Sequence, residues 1–274
     1  MASCSISYRI PAQLLDALSP VNVVCGHYGV GKTNFTVNLA CDLSRVGYAV
    51  TVADFDVVNP YFRATEQRAV LEAAGVKLIS PVFAESGSSL DSPSLRGTLI
   101  PAMKTARTSW VTNASDSDDL THQRHVVLVD AGGDDVGATA LGRFGDAVRT
   151  GIYSMLYVVN QSRSQTRESC DALQVLREIE DACGLRATGF VDNTHLKGET
   201  SEGVLVASAS FCREFADESN LALVCKTIPH SLFAKRSESE QATINQDIML
   251  AFKDACKSDD ILYPVDAIVK NPWE

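Results

Sequence analysis

Eight consecutive residues, Gly26-His27-Tyr28-Gly29-Val30-Gly31-Lys32-Thr33, follow the spacing G-x-x-x-x-G-K-[ST], and the apolar run Val21-Asn22-Val23-Val24-Cys25 stands directly before them. Each residue type has a task in holding a triphosphate. The glycines let the chain wind until consecutive backbone N–H groups point inward, beside the positive end of the helix that follows. Lys32 brings a point charge to the β- and γ-phosphates, and the Thr33 hydroxyl is a ligand for Mg2+. The main chain of Gly26, His27, Tyr28, Gly29, Val30 and Gly31 forms the cradle, and Asn34, one residue beyond it, joins the expected nucleotide contacts. A ligand-free glycine-rich turn has the same letters. An apolar run before the loop and an amphipathic one after it favour the phosphate site.

Acidic residues follow two further apolar runs. Asp54 and Asp56 come after residues 48–53. Two carboxylates two apart in extended chain point the same way, so one can hold Mg2+ through water while the other orients an attacking water. A solvated turn is the plainer reading of the same pair. Asp130 ends the run Val126-Val127-Leu128-Val129, where it can reach the Mg2+ shell. Gly133 lies three residues on, placed for its N–H to meet a γ-phosphate as part of a movable switch. Asn193, after residues 188–192, carries both a donor and an acceptor for an adenine edge; Asn193-Thr194 is also good turn chemistry.

The elements that must position these residues alternate. Expected strands at 21–26, 48–53, 76–79, 126–129, 154–159, 188–191 and 221–227 are interleaved with helices at 32–46, 63–74, 138–150, 165–182, 203–218 and 240–255. Such an order specifies an α/β fold: a doubly wound, mostly parallel sheet with helices on both faces in three layers, as in P-loop NTPases. Ligands in these sheets bind at the carboxyl ends of strands, where all the residues singled out above stand. The 274 residues read as a single nucleotide-binding domain, with 80–124, including a helix at 95–106, as an insertion decorating one face of the sheet.

Composition narrows the function classes. With 45% hydrophobic and 21% charged residues the chain is an ordinary globular one. A net charge of −10 and a pI near 5.0 argue against broad nucleic-acid binding. No apolar run approaches the roughly 18 residues needed to span a membrane, and the first 20 residues lack the order of a secretory signal, so a cytoplasmic protein is expected. None of the eight cysteines is three residues from another, which excludes C-x-x-C redox and metal sets and leaves buried thiols as the expectation. The tail Tyr263-Pro-Val-Asp-Ala-Ile-Val-Lys-Asn-Pro-Trp-Glu is too poor in basic charge to anchor to a membrane.

Taken together, the loop 26–33, the Asp54/Asp56 pair, Asp130 with its glycines, and Asn193 resemble the MinD/ParA group of deviant Walker A ATPases, within the SIMIBI class. The string Asp56-Val-Val-Asn-Pro-Tyr-Phe-Arg, His27-Tyr28 and Asp130-Ala-Gly-Gly-Asp-Asp are similar to a bacterial subgroup of ATP-binding proteins. The resemblance implies Mg-ATP bound near a dimer interface, Mg2+ on Thr33 with Asp54 and Asp130 nearby, Asp56 as the water-positioning carboxylate, and Asn193 at the adenine. It also implies slow ATP hydrolysis that switches an ATP-dependent homodimer or an unidentified protein partner. The loop departs from the family at His27, where relatives carry a lysine that reaches the partner's nucleotide; a neutral imidazole does not replace a permanent cation. Two rival readings share the scaffold. One is a metabolic kinase or ATP-dependent ligase resembling dethiobiotin synthetase or the cobyrinic acid amidases, with 80–124 and 194–201 lining an acceptor pocket. The other is a module that binds nucleotide only to fold or assemble.

Overall fold

The computed structural model describes residues 10–55, 67–80, 93–115, 123–133, 135–234, 236–253 and 261–269. Among the described residues eight strands, β1 (Val21–Cys25), β2 (Ala49–Phe55), β3 (Lys77–Ile79), β4 (His125–Ala131), β5 (Ser154–Val159), β6 (Gly189–Asp192), β7 (Leu223–Pro229) and β8 (Leu262–Val265), form one sheet in the order β3-β2-β4-β1-β5-β6-β7-β8. Every pairing is parallel. Central strands covered on both faces need continuous apolar runs, and β1, β4 and β5 are buried along almost their whole length. Asn22 is the polar exception in β1; its carboxamide closes the preceding turn by accepting from Ser19 N (2.9 Å) and donating to Ser19 O (2.6 Å).

Two helical layers complete the molecule. On one face α1 (Ala12–Asp16), α2 (Lys32–Arg45) and α3 (Arg68–Ala73) bury Leu14, Phe35, Leu39, Leu43 and Leu71 against the sheet. The other face is covered by α4 (Pro93–Ser115), α5 (Asp135–Arg149), α6 (Ser169–Cys183), α7 (Glu202–Ser219) and α8 (Glu238–Phe252). Aromatic rings fill that second layer. Phe215 lies 4.9 Å from Phe190, 5.7 Å from Tyr157 and 6.0 Å from Phe211 between ring centroids. Gly184 adopts the left-handed conformation (φ 68°) that closes α6, and Ser237 with Glu240 makes a capping box at the start of α8.

Three expectations change. The helix expected at 95–106 is longer: α4 runs from Pro93 to Ser115, and its Leu99, Met103 and Ala106 belong to the main core. The expected helix at 95–106 already spans Pro101, which lies inside α4; its continuation past 106 was not read. The tail also contributes a strand. Pro264 is tolerated in β8 because the strand sits at the sheet edge, where one missing ladder N–H costs little. Asp130 lies within β4, which continues to Ala131. Residues 63–66 of the expected 63–74 helix lie outside the described residues; α3 covers the end of that range, and Gly75 (φ 74°) follows it.

Cys25, Cys41, Cys183, Cys212 and Cys225 are buried, while Cys170 is exposed. Burial pushes the Cys25, Cys41 and Cys183 thiols upward. They behave as small core side chains.

Truncating Phe215 to alanine removes a ring that touches three others. The expected loss is about 3–5 kcal/mol in chemical denaturation, and a loss below about 1 kcal/mol would show that this aromatic layer does not hold the α7 face.

Candidate functional site

The winding order reverses at β1, which pairs with β4 on one side and β5 on the other, so the crevice expected to take a ligand opens at its carboxyl end. The chain leaves β1 through Gly26 and enters α2 at Gly31. Both glycines have positive φ, 147° and 92°, as does Gly29 at 75°. A side chain at Gly31 would collide with the Asn193 carboxamide, and one at Gly26 with the Val158 carbonyl. The glycines are thus set by close neighbours as well as by backbone turns. Lys32 is buried with its Nζ donating to the His27 carbonyl at 3.0 Å, which folds the ammonium back over the loop. Thr33 is buried in the first turn of α2.

Strand register brings the acids together. Asp54 pairs with Asp130 across β2 and β4, and Asp130 with Val24 across β4 and β1, so neighbouring strands carry the two carboxylates side by side on the α2 face. They are 1% and 0% exposed, and Thr36 of α2 donates to Asp130 Oδ1 at 3.4 Å. Beyond β4, a Cβ on Gly133 would stand 2.6 Å from Lys32 Nζ and 2.7 Å from the Tyr28 nitrogen. The loop after β4 therefore lies directly on the phosphate loop, and only glycine fits there. Asp56 lies outside the described residues. Two buried carboxylates and a threonine hydroxyl are hard oxygen donors suited to Mg2+. Among the described residues no three His, Cys, Asp or Glu side chains gather into a cage, so a cation here would draw its remaining ligands from phosphate and water.

Asn193 acts on the loop itself. It is 3% exposed, donates from Nδ2 to the Val30 carbonyl (2.7 Å) and accepts at Oδ1 from Thr227 Oγ1 (2.6 Å), so its amide pins the loop to β7. An adenine contact would use the second Nδ2–H. The preceding residue anchors this arrangement. Asp192 Oδ2 accepts from Lys226 Nζ (2.7 Å) and Ser208 Oγ (2.7 Å), and Oδ1 from the Thr194 N–H (2.9 Å) and Oγ1 (2.6 Å). Burial opposes the charge on Asp192, but the adjacent Lys226 and these hydrogen bonds outweigh it and hold the carboxyl below its usual range. Sequence reading missed the pair, since nothing links residues 192 and 226 before the strands are placed.

His195 extends the same loop toward Gly31. Its Nδ1 accepts from Lys197 N (3.1 Å), and its Nε2 comes within 3.3 Å of where a Gly31 side chain would begin. Lys197 takes a left-handed conformation (φ 53°) to make that bond. Burial, then the charges of Arg163, Lys226 and Lys197, lower the imidazole pKa to about 4 against a weaker opposing pull from Asp192. His195 is therefore neutral at physiological pH.

Other expected residues sit differently. His27 Nδ1 contacts the Tyr28 carbonyl at 3.2 Å on the rim, and Tyr28 is 53% exposed. The Asn34 side chain turns away from the cradle to the C-terminal segment, leaving its backbone to face a phosphate. A crevice of about 540 Å3 between α4 and the sheet, lined by Tyr48, Thr51, Lys77, Thr105 and His125, lies at the amino ends of the strands, opposite the phosphate loop.

The fold and loop define a P-loop nucleotide-binding protein of three-layer α/β/α architecture. Residues 23–202 match the CobQ/CobB/MinD/ParA nucleotide binding domain, and the chain belongs to that family. It is similar to the iron-sulfur cluster carrier protein of Methanococcus maripaludis, with 36% identity over 80 residues, 28% of this chain and 25% of that one. Among solved structures, FtsY from Mycoplasma mycoides superposes with a TM-score of 0.51 at 14% identity, covering 85% of this chain and 66% of FtsY, a likeness of fold alone. FtsY from Thermotoga maritima gives 0.46 at 18% identity, with 87% and 74% covered. The match thus spans a quarter of the carrier protein, and the chain about two thirds of the Mycoplasma FtsY. Among the described residues no helix is long and apolar enough to cross a membrane.

Two outcomes follow. Asp192→Asn leaves Lys226 buried without its counter-charge and is expected to cost about 3–5 kcal/mol in urea unfolding; a change under about 1 kcal/mol would contradict the anchoring role. His195 has a lowered folded pKa, so its contribution is present above the unfolded value near 6.5 and is lost as pH falls toward about 4. Stability measured from pH 7 to 4 should decline less steeply in His195→Gln than in the wild type, and identical slopes would contradict a buried neutral imidazole.

Proposed function

We propose that this protein is a Mg-dependent ATP-binding protein and slow ATPase that works in the cytosol as a nucleotide-driven conformational switch for a protein partner, with an ATP-dependent homodimer as its active form. The observation that carries this reading is Gly133 packed on Lys32 and Tyr28, because it joins the β4 loop to the loop expected to hold phosphate. A segment resting on the lysine that contacts a γ-phosphate is placed to respond when that phosphate arrives or leaves.

In this reading the loop amides of residues 26–33 and Lys32 bind the phosphates, while Thr33, Asp54 and Asp130 would hold the cation, which neutralises charge developing on the phosphate oxygens. Asp56 orients a water for in-line attack on the γ-phosphorus. The bond to the bridging oxygen of ADP breaks, and the water's proton leaves with the phosphate product. The choice of ATP over GTP is supported by the loop after Asn193. Guanine presents an N1–H and an amino group that call for a carboxylate, yet Asp192, the acid beside Asn193, already accepts four hydrogen bonds. The α4 crevice lies at the far ends of the strands and lends no support to an acceptor pocket in line with the γ-phosphate. The relative's iron-sulfur cargo gains no support either, because five of the six described cysteines are buried.

Asp56→Ala is expected to reduce phosphate release at least a hundredfold while Mg-ATP binding stays within about threefold of wild type. Unchanged turnover in that variant would remove Asp56 from the mechanism. Subunit mass measured in the same variant with and without ATP should double with nucleotide, and a constant monomer mass would contradict the dimeric switch.

A further inference from the structure

The helix that begins at the phosphate loop carries a polar stripe. Asn34, Asn38 and Asp42 recur every four residues and so share one face of α2. All three bond to residues 262–269, in the last described stretch of chain. Tyr263 is fully buried, donates its hydroxyl to Asp42 Oδ2 (2.8 Å) and meets Phe35 edge-on at 6.0 Å. Asn38 exchanges two bonds with the Asp266 backbone: its Nδ2 donates to the carbonyl (3.0 Å) and its Oδ1 accepts from the N–H (2.9 Å). Asn34 Nδ2 donates to the same Asp266 carbonyl (3.0 Å), and its Oδ1 accepts from the Ile268 (2.9 Å) and Val269 (3.2 Å) N–H groups. The Asp266 carboxylate meets His230 Nδ1 at 2.7 Å, tying the segment to the turn after β7 as well.

Asn34 immediately follows Thr33, and both Oδ1 lone pairs are used by the C-terminal segment. The first turn of α2, whose N–H groups would face the phosphates, is therefore held from behind by residues more than 230 positions away. We propose that Asn34 and Asn38 are positioning residues that couple nucleotide binding to the docking of segment 262–269 along α2. The segment fixes the direction of the helix start, and an occupied phosphate site in turn tightens the segment, because coupling between two sites is reciprocal. This makes the C-terminal strand and the turn after it the part of the surface that reports nucleotide occupancy, separate from the loop after β4.

The inference rests on the nucleotide-binding reading above, and the test separates the two. Hydrogen exchange of the wild-type protein is followed with and without saturating Mg-ATP, and Mg-ATP affinity is measured by calorimetry for wild type, Asn38→Leu and Ile268→Pro. Neither substitution touches the phosphate loop; one removes both Asn38 bonds to Asp266, and the other removes a donor to Asn34. Mg-ATP should slow exchange in a peptide spanning 266–269 about tenfold, and each variant that folds should bind Mg-ATP about tenfold more weakly. Unchanged exchange in that peptide with nucleotide bound overturns the coupling even if both variants fail to fold. So does wild-type affinity in both variants. A wild-type protein that binds no Mg-ATP instead overturns the nucleotide reading, and this inference with it.

Discussion

A loop that turns its N–H groups toward a polyanion cannot hold that shape alone, since the same groups would otherwise seek water or one another. Here the constraint is met by one carboxamide. Asn193 takes the Val30 carbonyl with its nitrogen and the Thr227 hydroxyl with its oxygen, fastening the loop to β6 and β7. Gly31 is glycine partly because that amide leaves no room for a side chain. The position of Asn193 depends in turn on Asp192, whose four hydrogen bonds fix the strand end that carries it. A buried ion pair is a poor source of net stability, but removing one partner is costly. The pair thus specifies the geometry of the loop more than it stabilises the fold.

Around this anchor the molecule divides its attachments. Gly133 on one side and the Asn34–Asn38 face on the other both touch the region of Lys32 and Thr33, one through van der Waals packing and one through hydrogen bonds. The first packs the Gly133 backbone against Tyr28 and the Lys32 ammonium. The second involves a strand and a buried tyrosine that donates to Asp42.

Much of this was legible in the sequence because the signals were local. The glycine-lysine-threonine loop, the apolar runs ending in Asp54 and Asp130, and the alternation of elements each lie within a short window, and they lead to the sheet and to the family. What escaped were relationships between distant segments. Asn193 was legible as a polar residue at a strand end, but its bond to the phosphate loop requires β6 and β1 to be separated only by β5. The Asp192–Lys226 pair depends on β6 and β7 lying side by side. The stripe of Asn34, Asn38 and Asp42 is visible as a spacing, yet it means little until β8 is seen to run beside it. Asn34 was accordingly read toward the nucleotide, whereas its side chain faces the tail.

Calorimetric titration of wild type and Asn193→Ala with Mg-ATP and, separately, with inorganic tripolyphosphate, which has no base, isolates the pinning of the loop from contacts to the nucleoside. If the asparagine works by pinning the loop, wild type binds both ligands at one site per chain and the variant loses about tenfold in affinity for each. Absence of heat with wild type, or a variant that binds tripolyphosphate as tightly as wild type, would contradict it.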